Sequence, residues 1–328
     1  MSNTQTDVEL GEPYQPPWVS RVAFQMLVII LAANQLALAA SLYYGRTWLA
    51  VLLVLTGSHL MHGVLIGFHE ASHGLLRTNR RFNEFDGVLI GLLSFMSFSL
   101  YRAAHQSHHA HLATEKDEEL WPFVDTKVPR WGRVLAAVLE LTIGMFFTPF
   151  LFFRAFLREG TPIRNKKLRR RIWMEFGLII VFWTVVLTTV AWLDVWKYFI
   201  WMYAVPAFIA ANLQSWRKYI EHVGLTGSSI NAATRSIIAD GVMGRLVAFS
   251  LLHEPFHGVH HRYSGLPHAE LPQRKAILQP TSPEEHAPFR SYTHAMTDLL
   301  RKLADPRVGP QWNRPGEQPA SQELAPTA

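Results

Sequence analysis

Residues 22–73 read VAFQMLVIILAANQLALAASLYYGRTWLAVLLVLTGSHLMHGVLIGFHEASH. From Val22 to Gly45 there is no charged side chain, and Leu, Ile, Val and Ala dominate; Thr47 to Phe68 is likewise uncharged. A bilayer core takes about 20 helical residues to cross, so each half is long enough to span. Only Gly45 and Arg46 would then turn the chain between them, making a tight hairpin. The stretch ends on His69-Glu70-x-x-His73, whose two histidines lie one turn apart on the same helix face. With Glu70 between them they match a zinc-protease pattern letter for letter. The question is whether these two histidines act alone or belong to a larger set.

A second hairpin is expected from Phe176–Leu193 and Tyr198–Trp216, turning at Asp194–Lys197. Two weaker apolar stretches, Gly87–Tyr101 and Val134–Phe153, read as interfacial or re-entrant. The first is short, and the second carries Glu140 and Pro149. Composition agrees: 49% of residues are hydrophobic and only 17% charged, against a usual quarter. The expected fold is therefore all-α and polytopic, with two transmembrane hairpins and a cytoplasmic helical cap. Residues 1–17 read as a polar tail without a signal-peptide pattern, 18–300 as one membrane domain, and 301–328 as a disordered tail rich in Pro, Gln and Ala.

The absence of Cys excludes disulfides, thiolate catalysis and iron–sulfur ligation. The net charge of +6 owes much to the run Arg164–Arg171, which suits anionic lipid. No basic platform interleaved with aromatics appears, so nucleic acid is not an expected partner. Arg77, Arg80, Arg81, the Arg164–Arg171 run, Arg217 and Lys218 border one end of the hairpins, whereas the other turns carry only Arg46 and Lys197. By the bias of cationic loops, both termini and the histidine clusters face the cytoplasm.

Histidine is the anomaly, with sixteen copies, most of them clustered. After His69 and His73 come His105, His108 and His109, then His222, then His257, His260 and His261. Two of these groups share the spacing His-x-x-His-His, which sets three imidazoles on one helical turn, where they are expected to converge. Each group follows the cytoplasmic end of an apolar stretch, so four distant segments can meet in one cap. Burying that many polar rings beside a low-dielectric medium is costly without a ligand.

A zinc protease would use His69, His73 and a third ligand such as Asp240 in the turn Ala239–Gly241, but this leaves seven clustered histidines unexplained. A carboxylate-bridged bundle would use Glu-x-x-His pairs. Glu70/His73 and Glu254/His257 have that spacing, although Pro255 interrupts the second. Two metals sharing eight or nine imidazoles is the economical count, and imidazole alone does not distinguish iron from zinc or copper.

The segments HEASH, HQSHH and HGVHH resemble the three histidine boxes of the membrane fatty acid desaturase and hydroxylase superfamily, over roughly residues 20–275. That resemblance implies two non-haem iron ions, dioxygen as oxidant, a separate electron donor such as a ferredoxin, and a lipid acyl substrate. It also implies a ninth ligand between the second and third boxes, where His222 stands in KYIEHVG. His69, His73, His105, His108, His109, His222, His257, His260 and His261 are accordingly the expected iron ligands. Glu70, Glu221 and His253 are expected behind them, and His62 along a substrate path. Within the superfamily, hydroxylases and carotenoid-type ketolases share such boxes. HQSHH is one residue shorter than the corresponding box of membrane alkane hydroxylases, which favours the desaturases.

Overall fold

The structure, a computed structural model, describes residues 17–313. The polar N-terminal tail, apart from Pro17, and residues 314–328 of the C-terminal tail lie outside the described residues. Among the described residues the fold is helical, with one isolated bridge between Ile237 and Phe289.

Helix α1 (Ala23–Tyr43) packs along α2 (Thr47–His73). Small residues let the two backbones approach, as in membrane helix pairs. A Cβ at Gly67 would come within 2.2 Å of the Phe24 ring, and one at Gly63 within 2.4 Å of Leu27. Ile29, Leu36, Leu52 and Leu55 point outward into the surroundings. Exposed Tyr43, Tyr44 and Trp48 gather at the turn, as interfacial aromatics do.

Next come α3 (Arg80–Leu93) and α4 (Phe98–Ala110), bent by 103° at their junction. Asn79 caps α3 and Ser97 caps α4 through side-chain oxygens. The buried Glu175 carboxylate also accepts from Ser97 Oγ at 2.7 Å and the Ser99 amide at 2.8 Å, placing negative charge at the α4 N-terminus. The pair forms a wedge. Its outer ends lie by the histidine clusters, with Asn83 Nδ2 donating to Ala71 O at 2.8 Å. Its tip contacts the long helices, where Trp183 Nε1 donates to Leu92 O at 2.8 Å.

Helix α5 (Arg130–Leu157) is long and apolar enough to span, as are α1, α2 and α6 (Lys166–Trp192). Its geometry differs from a straight span. The backbone breaks at Ile143, and Thr148 Oγ1 reaches Glu140 Oε1 at 3.0 Å. Eight residues of straight helix would separate those positions by about 12 Å. Both ends of α5 contact the segment that follows the second histidine cluster: Arg133 donates to Val128 O and Arg158 pairs with Glu118. The break at Ile143 bends α5 enough for Thr148 to meet Glu140, and this bent helix is the second wedge.

The expected span Tyr198–Trp216 is helical but subdivided. A turn at Trp196–Phe199 and a π turn at Ile200–Ala204 precede α7 (Val205–His222). It is not among the four helices that qualify by length and apolarity, because the π turn divides it and its last turns carry Arg217, Lys218 and Glu221.

A short apolar helix α8 (Gly241–Ser250), a one-turn α9 (His257–Arg262) and α10 (Tyr292–Lys302) complete the molecule. Residues 301–313, assigned by composition to a disordered tail, are packed. Val308 and Trp312 are buried, and Trp312 Nε1 donates to Phe123 O at 2.9 Å. Arg133 and Arg307 cover the Trp312 ring.

Candidate metal centre

Three helices end at one place. The last turn of α2 carries His69 and His73, that of α4 carries His105, His108 and His109, and that of α7 ends on His222. The single turn α9 brings His257, His260 and His261. All nine rings named from the sequence meet there, and they separate into two groups. His69, His73, His105, His109 and His260 place ligand atoms within 4.8 Å of one another, and so do His108, His222 and His261. His257 joins the second group through His222, Nε2 to Nε2 at 2.8 Å. The groups touch where the rings of His109 and His261 stack at 4.3 Å.

Each His-x-x-His-His box therefore does not converge on one point. His105 and His109 enter the five-ring pocket while His108 enters the other; His257 and His261 enter the four-ring pocket while His260 crosses to the first. Helical geometry explains the split. Positions i and i+4 nearly share a face, but i+3 and i+4 stand about 100° apart. A box at the seam of two pockets supplies both.

The ring nitrogens show what the pockets are suited to hold. His105 Nδ1 faces Glu119 at 2.8 Å, His108 Nδ1 faces Asp117 at 2.8 Å, and His257 Nδ1 faces Glu254 at 2.9 Å. His222 Nδ1 faces the Ala233 carbonyl at 3.2 Å. A carbonyl only accepts, so His222 is protonated on Nδ1 and its Nε2 carries a lone pair. The same tautomer at His257 aims a second lone pair at the first across 2.8 Å. Nε2 atoms also approach one another at 3.0 Å (His105–His73), 3.1 Å (His109–His105), 3.0 Å (His260–His109) and 3.0 Å (His261–His257). Facing lone pairs repel unless a cation lies among them. Metal–imidazole bonds of about 2.1 Å meeting at 90° put nitrogens about 3.0 Å apart, against about 3.4 Å at the tetrahedral angle. The donor set thus fits two multiply coordinated metal ions.

Outside the long helices, burial and then the neighbouring rings hold His257, His260 and His261 well below the usual imidazole value, in the neutral form that donates to metal. At Glu119 burial acts upward, but His105, His108 and Lys218 outweigh it and hold the carboxyl below its usual range. Asp117 is fixed by the amides of Ala113 (3.0 Å), Glu119 and Leu120 (3.2 Å each). Carboxylates placed in this way fix ring orientation and raise ligand basicity.

Other residues named from the sequence lie as follows. Glu221 accepts from Arg217 at 2.7 Å and stands 3.6 Å from His257 Nδ1. Glu70 is buried 3.8 Å from His69 Nδ1, with neither oxygen hydrogen-bonded. His62 is buried one to two turns deeper on α2. His253 does not stand behind a ligand; its Nδ1 faces that of His268 at 3.3 Å, because the chain turns before α9 begins. His268 is buried in that contact. Asp240 is exposed at the start of α8 and does not join the ligand group that holds His69 and His73. The two-histidine protease site is not assembled.

Asp117, Glu119 and Glu254 were not assigned this role from the sequence. Asp117 and Glu119 lie in EKDEE, shortly after the second box, and a carboxylate run in that place is the available signal. Arg235 was also missed. Fully buried, it donates to Ile220 O and Val223 O at 2.9 and 2.8 Å, holding the end of α7 on which His222 rides.

No curated protein matches the chain. The family model described as fatty acid desaturase matches residues 46–293, more than half of the length and inclusive of all nine clustered histidines. The chain therefore belongs to the fatty acid desaturase family.

Proposed function

We propose that the protein is a membrane oxidoreductase that holds two iron ions and uses dioxygen, with electrons from a separate donor such as a ferredoxin, to desaturate a lipid acyl chain. The carrying observation is the approach of His222 Nε2 and His257 Nε2 to 2.8 Å, within a nine-imidazole set divided five and four. Iron in these pockets would supply dioxygen activation and removal of hydrogen from an unactivated C–H bond. The protein supplies position and dryness. The cationic flanks support a centre on the cytoplasmic side.

Two adjoining cavities support an acyl substrate. One is lined by Leu31, Met61, Val64, Ile90, Leu93 and Tyr203 among the long helices and the first wedge. The second shares Leu65, Ser94, Met145 and Ala211 with it and continues to Tyr101 and Glu119. Glu119 holds His105, and the Tyr101 ring stacks on His105 at 5.4 Å, so the path, apolar at first and then also lined by Glu140, Arg217 and Lys218, ends against a ligand ring. His62 is not among its lining residues. A larger cavity of about 600 Å³ lies under α8, but none of the nine rings lines it.

Expression of the chain followed by mass analysis of cellular lipids tests the reaction. Loss of two hydrogens is expected. Gain of one oxygen would instead establish a hydroxylase or a ketolase precursor step, and unchanged lipids together with iron-free protein would defeat the proposal.

A further inference from the structure

Glu254 is fully buried. The two residues before it, Leu252 (φ 47°) and His253 (φ 56°), both adopt the left-handed backbone region, which side-chain-bearing residues enter only at a cost. Such a pair persists where surrounding structure over-determines it. Its result here is a reversal between α8 and α9 that turns the Glu254 carboxylate inward. One oxygen accepts from Arg217 at 2.6 Å and faces His257 Nδ1 at 2.9 Å. The other has no hydrogen bond and stands 3.3 Å from His69 Nδ1, which has none either.

His257 belongs to the four-ring pocket and His69 to the five-ring pocket. Glu119 touches only His105, and Asp117 only His108. Resting on the two-metal reading above, we infer that Glu254 is a positioning residue shared by both metal pockets: a single carboxylate fixing the outer nitrogens of His69 and His257, itself anchored by Arg217. The small shift that brings His69 Nδ1–H onto the free oxygen completes the bridge. Glu119 and Asp117 then orient one ion each, while Glu254 ties the two together.

The test compares iron per chain, iron retention against a chelator, and Mössbauer spectra for purified wild type, Glu254→Gln, Glu119→Gln and Asp117→Asn. Wild type should hold two irons. Glu119→Gln and Asp117→Asn should each disturb one iron signal, and Glu254→Gln both, with retention at both sites falling about tenfold or more. If Glu254→Gln does not fold, Glu254→Asp, which keeps the charge opposite Arg217 but shortens its reach, is read in its place with the same expectation. Disturbance of one iron or neither by the Glu254 variant, in a wild type holding two, overturns the inference alone. A wild type without iron overturns the metal reading and the inference with it.

Discussion

Arg217 and Lys218 are neighbours on α7 and face two different buried carboxylate clusters. Lys218 pairs with Glu140, whose oxygens also accept from Thr148 Oγ1 and Tyr219 OH at 3.0 Å each. That cluster is closed, because every Glu140 oxygen has a protein partner. It joins α7 to the wedge of α5 where the backbone breaks. Arg217 instead meets Glu221 and Glu254, and beyond them stand oxygens of Glu254 and Glu70 and nitrogens of His69, His109 and His260 with no partner. A closed polar cluster in an apolar interior is a structural pin. An open one of this composition is built for something more, and the imidazoles around it indicate cations. Adjacent residues thus divide their hydrogen bonds, Lys218 pinning a wedge and Arg217 the carboxylates at the pockets, while the charge of Lys218 also reaches Glu119.

The sharpest way to break this division is to remove one ring from each pocket. His222→Ala should abolish product and leave roughly one iron per chain, and His105→Ala should do the same with the other iron retained, since a first-row ion rarely survives loss of a ligand from a tuned set. Iron analysis and turnover on one preparation check this. If either variant keeps both irons and full activity, its ring is outside the centre.

The next effect is on stability. Glu140→Ala leaves Lys218 buried without its counter-charge, which typically costs about 3–5 kcal/mol. The detergent-solubilised protein should melt earlier, while iron per chain at low temperature stays at the wild-type level. Iron lost from a still-folded Glu140→Ala protein would join the two clusters and defeat the comparison.

Much of the metal cap is legible in the sequence because imidazoles at helical spacing beside apolar runs have few other uses. The carboxylates behind the rings are harder to see. EKDEE looks like a solvated acidic run, and only the fold brings Asp117 and Glu119 back onto α4. Glu254 is visible as a Glu-x-x-His pair, but spacing alone suggests a ligand, whereas its carboxylate meets the outer nitrogen of His257. The kink of α5 falls at Ile143, beside Gly144 and six residues before Pro149, so local breakers mark the place, while the contact of Gly144 with Ser215 and Asn212 appears only in the fold. The end of the C-terminal segment was misread because composition weighs Pro and Gln heavily, while Val308 and Trp312 carry the burial.

The smallest expected effect concerns His253 and His268, a half-buried and a buried ring without any carboxylate partner. Burial alone lowers His253 to about 4, and burial with the nearby His253 lowers His268 to about 3. The unfolded chain would protonate both near 6.5. Between that value and the folded ones the unfolded state binds more protons, so stability rises with pH across this window and is lost as pH falls through it. By pH 5 each ring should have cost about 2 kcal/mol relative to pH 8. A His253→Asn/His268→Asn double variant should flatten that part of the acid slope, read as the wild-type-minus-variant difference in melting at each pH so that contributions common to both cancel. The nine clustered rings remain in both proteins and do not enter the difference. An unchanged slope would mean that the two rings titrate normally in the folded chain. The separation between the nine clustered histidines and the merely buried ones would then have to be drawn elsewhere.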